Sequence, residues 1–161
     1  MSRIRLTLAA LGVLFLGACA QTGGFNASPL GAGDAAGDPA SSGFFQTSVG
    51  DRVLFEVDQH TLTPQAQTIL AAQAEWMTQN ADFTAIVEGH ADEQGTREYN
   101  LALGARRANA ARDYLVSRGV ASARLRTVTF GKERPIEVCS DEACYSQNRR
   151  AVTVLQGAAG L

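Results

Sequence analysis

Lysine is nearly absent from this chain, and histidine and cysteine are scarce. Lys132 is the only lysine, His60 and His90 are the only histidines, and Cys19, Cys139 and Cys144 are the only cysteines. Basic residues do not outnumber acidic ones: 14 Lys and Arg face 16 Asp and Glu. That balance argues against nonspecific nucleic-acid binding, which needs a strong basic excess. It also leaves arginine carrying almost all positive charge, and arginine suits planar, bidentate recognition of carboxylates. There is no Gly-x-Ser-x-Gly nucleophile elbow and no His-Glu-x-x-His pair, so hydrolytic chemistry lacks its usual starting residues. No cofactor and no metal is expected. No apolar run reaches the ~20 residues of a spanning helix, and no internal repeat is visible.

What the N-terminus does have is a three-part layout. Arg3 and Arg5 precede a mostly apolar run from Leu6 to Leu16, followed by Leu16-Gly17-Ala18-Cys19. A positive start, an apolar middle and small residues before a cut make a secretory signal. The last four positions resemble the lipoprotein box, which implies removal of residues 1–18 and lipidation of Cys19. Ala20 follows the cysteine, and by family analogy the lack of aspartate there favours the outer membrane. Several acyl chains, at about 0.8 kcal/mol per buried methylene, would hold the protein durably. Losing two arginines and no acids leaves 12 basic and 16 acidic residues, a net charge of −4.

Residues 19–43 read as the lipidated cysteine and a flexible linker, rich in Gly, Ala, Ser, Asp and Pro. A single domain is expected over residues 44–161. Arg52–Val57 reads as a strand. Thr63-Pro64 opens a helix toward Asn80, with Thr63 as cap and Pro64 in the first turn. Ala66, Ile69, Leu70, Gln73, Trp76 and Met77 follow at helical spacing. Phe83–Glu88 is a second strand, Arg97–Arg118 a second helix, Leu125–Phe130 a third strand and Arg150–Leu155 a fourth. The order β-α-β-α-β-β places two helices on a four-stranded sheet, an α+β fold. Strand two, helix two and strand three would make a right-handed crossover. Cys139 and Cys144 read as a disulfide in an oxidising compartment, contributing roughly 2 kcal/mol on the chain-entropy model. Half of a metal site is the weaker alternative, since partner ligands are lacking.

The most unusual stretch is Gly89-His90-Ala91-Asp92-Glu93-Gln94-Gly95-Thr96, a polar loop between a strand and a helix. Such a loop is either a solvated connection or a binding element. In the helix that follows, Asn100, Leu103 and Arg107 fall at i, i+3 and i+7 and share a face. An arginine at the core edge needs a carboxylate, and Asp92 is in reach. Two readings follow: an internal Asp92–Arg107 salt bridge, or a cleft with one negative and one positive group. Such a cleft would grip a zwitterionic amino-acid end, with Asp92 on the ammonium and Arg107 on the carboxylate.

The run from Val87 to Ala108 resembles the signature of the outer-membrane protein A-like (OmpA-like) domain. More narrowly, it is similar to the peptidoglycan-associated lipoproteins of the Tol–Pal system. Gly131-Lys132-Glu133-Arg134-Pro135 and Asn148-Arg149-Arg150-Ala151-Val152 match as well. The resemblance covers roughly Phe44 to Leu155 and implies a mixed sheet. It implies non-covalent binding of peptidoglycan through the diaminopimelate of the stem peptide, without catalysis. The ligand-binding aspartate and arginine fall on Asp92 and Arg107. Asp58 matches a position at the groove rim, Leu103 an apolar contact, and Asn100 a support on the helix face. Gln94 stands where arginine is common. His60 has no matching role. Arg149 and Arg150 either add positive field near the site or simply enter the last strand. The resemblance further implies TolB and other Tol proteins as partners, with a role in envelope integrity and cell division. Two alternatives stand beside it: a wall enzyme using His90 and Asp92, and the same domain anchoring a different envelope machine.

Overall fold

A computed structural model describes residues 37–157. The signal segment, Cys19 and most of the expected linker lie outside the described residues. Among the described residues no helix is long and apolar enough to cross a membrane.

The sheet has four strands: β1 Arg52–Leu54, β2 Thr84–His90, β3 Leu125–Gly131 and β4 Arg150–Gln156. Their spatial order is β1-β4-β2-β3. β4 is antiparallel to both β1 and β2, while β2 and β3 run parallel. The sheet is therefore mixed. Three helices matter: α1 Pro64–Gln79, α2 Arg97–Ser117 and α3 Glu142–Asn148. α1 starts as its sequence dictates, with Thr63 accepting from the Ala66 amide and Pro64 in the first turn. α2 starts on Thr96, whose hydroxyl accepts from the Tyr99 amide.

The apolar faces of α1, α2 and the sheet close one core. Leu70 and Met77 from α1, Ala108, Ala111 and Leu115 from α2, and Val53, Val87 and Leu125 from the sheet are all buried. Trp76 packs between Phe45 and Phe83, with ring centroids 5.0 and 5.1 Å away. Its indole N–H donates to the Pro39 carbonyl at 2.7 Å, and Ser41 is buried. The folded chain thus reaches back into the segment assigned to the linker. It enters through a helical turn, Ser42–Phe44, and a π-helical turn, Phe45–Gly50.

Two further differences from the sequence reading shape the site. β1 stops at Leu54 instead of continuing to Val57. Beyond it the chain turns so that the carbonyls of Glu56 and Gln59 accept from Arg107, which gives a buried guanidinium the hydrogen bonds it needs. The second difference is α3, which replaces the expected loop around the cysteines. Asp141 caps it by accepting from the Cys144 amide, and the Cys139–Cys144 disulfide ties its first turn to the preceding chain. The two sulfurs are bonded to each other, so neither is available as a thiolate ligand.

β2 and α2 approach backbone to backbone. A Cβ on Gly89 would lie 1.8 Å from the Gly104 carbonyl oxygen, and one on Gly104 would lie 2.8 Å from that of Gly89. Two glycines are the only pair of residues that permits this crossing, and it fixes where α2 presents its polar face to the loop after β2.

Candidate functional site

The loop after β2 is held from several sides. The Ala91 amide donates to the Gly131 carbonyl at 2.8 Å. Lys132 Nζ donates to the carbonyls of Glu93 and Gly95 at 3.3 and 2.8 Å. Asn100 Nδ2 donates to the Gln94 carbonyl at 2.7 Å. Gly95 takes a positive φ of 87°, which glycine adopts without steric cost. The loop's polar groups are therefore placed by backbone contacts before any ligand arrives.

Asp92 is 7% exposed. Its Oδ1 accepts from the Gln94 amide at 3.2 Å and its Oδ2 from Arg149 Nη1 at 3.3 Å. The anticipated internal Asp92–Arg107 salt bridge is not what the fold builds: the cation on Asp92 is Arg149. Arg107 is fully buried. It donates from Nε to the Gln59 carbonyl at 2.8 Å, from Nη1 to that of His90 at 2.9 Å and from Nη2 to that of Glu56 at 3.2 Å. A guanidinium carries five N–H donors, so three are used and two remain. Burial pulls its pKa down to about 10, with the Asp92 charge working in the opposite direction. It stays cationic at neutral pH.

Asp58, Asp92, Asn100 and Leu103 line one cavity of about 240 Å³, together with Val57, Gln94, Gly95 and Tyr99. Of the five expected ligand residues, four share this cavity. Arg107 sits behind its wall. Asp58 holds a left-handed backbone at φ 59°, uncommon outside glycine but tolerated by aspartate. It accepts a hydrogen bond from the Tyr99 hydroxyl across the rim, and that bond raises the Tyr99 pKa. The cavity has two acids at its surface, a guanidinium behind and an apolar wall in Leu103 and Val57. That arrangement suits a small group carrying an ammonium, a carboxylate and a short methylene chain.

His60 is exposed. His90 is buried, makes no hydrogen bond from either ring nitrogen, and does not line the cavity. A larger, shallower groove of about 800 Å³ lies between the C-terminal parts of α1 and α2. Its charged residues, Glu75 and Arg118, are exposed, and no buried charge faces it.

Residues 54–149 match the OmpA family. The peptidoglycan-associated lipoprotein of Mesorhizobium japonicum is 52% identical over 160 residues, covering 98% of this chain and 95% of that one. That of Rhizobium meliloti is 49% identical over 160 residues, covering 98% and 91%. The chain belongs to the OmpA family, within its peptidoglycan-associated lipoprotein branch. The crystal structure of the peptidoglycan-associated lipoprotein from Burkholderia pseudomallei agrees in fold, with 37% identity, 74% of this chain and 100% of that one covered, and a TM-score of 0.68. The C-terminal domain of Helicobacter pylori MotB, at 19% identity and a TM-score of 0.63, shares the fold alone.

The family signature runs through the loop and the first half of α2, and so contains Asp92, Asn100, Leu103 and Arg107. Tyr99 was not singled out from sequence, and Arg149 was left between two roles. Tyr99 lies four residues before Leu103 and eight before Arg107, so helical spacing alone puts it on the cavity face. Arg149 is 57 residues from Asp92, and no local pattern joins them.

Proposed function

We propose that this chain binds peptidoglycan non-covalently through the diaminopimelate of the stem peptide, and so ties a membrane-anchored protein to the wall. The observation that carries the reading is the single cavity where Asp58 and Asp92 present carboxylates in front of the buried Arg107. The ligand ammonium takes Asp92, with Asp58 at the rim. The ligand carboxylate is drawn by the positive charge of Arg107 behind the cavity wall. Leu103 packs on the methylenes, and Asn100 holds the loop in register through the Gln94 carbonyl. Each charge-assisted contact contributes about 1.5–3 kcal/mol. Modest affinity per site suffices, since anchored copies face a polymer with repeated sites. No bond is made or broken in this reading.

In this reading lipid on Cys19 fixes the other end in the outer membrane, with the domain in the periplasm. TolB and other Tol proteins are the proposed partners, with a role in envelope integrity and cell division. This part rests on membership of the family and on no individual residue.

The test is co-sedimentation of the full-length chain, in mild detergent, with purified sacculi. Wild type is expected in the pellet. Asp92→Asn, folded by circular dichroism, is expected to lose roughly tenfold or more in affinity, the value of one charged contact. Equal sedimentation of the two proteins would reject the assignment of Asp92.

A further inference from the structure

Two buried cations, Arg107 and Arg149, stand beside the single buried acid of the cavity, Asp92. Arg107 spends its hydrogen bonds on neutral carbonyls and so brings its full charge to the site. If Arg149 also leaned wholly on Asp92, a ligand ammonium would meet a carboxylate already countered twice. Arg149 does not do so. It gives Asp92 one hydrogen bond at 3.3 Å, from Nη1. It gives Glu142 two, from Nη1 to Oε2 at 3.3 Å and from Nη2 to Oε1, and its Nε donates to the Phe55 carbonyl at 3.2 Å. The larger share of the guanidinium is thus held by an acid outside the cavity.

We propose that Glu142 is a positioning residue of the ligand site: it draws Arg149 away from Asp92 and leaves the Asp92 carboxylate open to a ligand ammonium. The proposal rests on the reading of the Asp92 cavity given above. Glu142 does not line that cavity. It acts only through Arg149.

An exposed glutamate side chain seldom holds one geometry, because ordering it costs rotamer entropy. Glu142 is 64% exposed in its side chain, but its helix is fixed at both ends. At the N-terminus the Cys139–Cys144 disulfide and the Asp141 cap hold the first turn. At the C-terminus Asn148 is buried, accepts from the amides of Ile136 and Glu137 at 2.9 and 3.2 Å, and donates to the Glu137 carbonyl at 2.8 Å. Arg149, the next residue, therefore faces Glu142 from a braced backbone. The disulfide gains a role beyond loop closure: it keeps the first turn of α3 where Glu142 reaches Arg149.

The experiment is calorimetric titration of the full-length chain in mild detergent with meso-diaminopimelate. Glu142→Gln keeps the size of the side chain and removes the charge. It is expected to bind about 3- to 10-fold more weakly than wild type, in the range of couplings between neighbouring charges, with an unchanged melting temperature. Glu142→Asp restores the charge on a shorter arm and is expected to recover part of the affinity, which a merely structural role of the side chain would not produce. The double variant Cys139→Ser/Cys144→Ser is expected to lose a similar factor, and adding Glu142→Gln to it is expected to cost little more. Asp92→Asn serves as the reference. Wild-type affinity in Glu142→Gln, beside loss in Asp92→Asn, would overturn the proposal and leave the cavity assignment standing. Absence of binding by wild type, or wild-type affinity in Asp92→Asn, would overturn both.

Discussion

Single side chains in this domain are read best through what they are paired with. Arg107 and Asp92 look like a salt-bridge pair in the sequence. In the fold each has different hydrogen-bond partners: Arg107 the carbonyls of Glu56, Gln59 and His90, Asp92 the Gln94 amide and Arg149. His90 is the opposite case: buried, 5.5 Å from the Phe130 ring in a stacked arrangement, and without a hydrogen bond on either nitrogen. Its Nε2 lies 3.5 Å from Glu88, but burial, with the charges of Arg150 and Arg134, lowers its pKa from 6.5 to about 4. His90 is therefore neutral in the folded state at pH 7. The sign of its pH effect follows. As pH falls, the unfolded chain takes up the proton first, near 6.5, so this contribution is full above 6.5 and is lost progressively toward 4. Discounted for solvent screening of the Arg150 and Arg134 charges, the loss is about 2 kcal/mol. Urea unfolding at pH 7 and pH 4.5 checks this. Wild type should lose about 2 kcal/mol more than His90→Asn across that interval, and parallel declines would contradict it.

At the scale of elements, the site is the consequence of one close crossing. The carbonyl oxygen of Gly104 lies where a side chain on Gly89 would have to go, so α2 lies directly on β2. That contact brings Arg107 under the carbonyls of the turn after β1. Gly89→Ala is expected to destabilise the domain by about 3 kcal/mol or more, since backbone on both sides must move. A wild-type urea midpoint would show that the crossing is not tight. The elements making this crossing were legible from sequence. Thr63-Pro64 marked the start of α1, and Gly89 and Thr96 bracketed the loop. Trp76 and Met77, placed at helical spacing by the sequence, are buried. α3 was not legible as a helix. Its signals are present, an Asp141 cap followed by Glu142 in the first turn, but seven residues with one cysteine and no apolar stripe give helical periodicity nothing to register. The early end of β1 was hidden for a different reason, because the hydrogen bonds to the turn after it come from Arg107, 48 to 51 residues away.

The whole molecule unites a charged cavity with the family membership of the chain. Residues 56–59 supply the rim and two of the carbonyls, residues 89–107 the loop and helix face, and residues 142–149 the counter-charges. The middle segment carries the longest local signature, which is why Asp92, Asn100, Leu103 and Arg107 were candidates from sequence while Arg149 was left between two roles. In the fold Arg149 pairs with both Asp92 and Glu142. The fold also places the cavity apart from the larger α1–α2 groove, so the two can be told apart residue by residue. The most direct test is nuclear magnetic resonance of the 15N-labelled full-length chain in detergent as meso-diaminopimelate is added. The amides of Asp58, Gly95, Tyr99 and Leu103 should shift together in a saturable way, and those of Ala71 and Ser117 should stay still. Shifts centred on Ala71 and Ser117, or no saturable shift at all, would contradict the assignment of the Asp92 cavity as the wall-binding site.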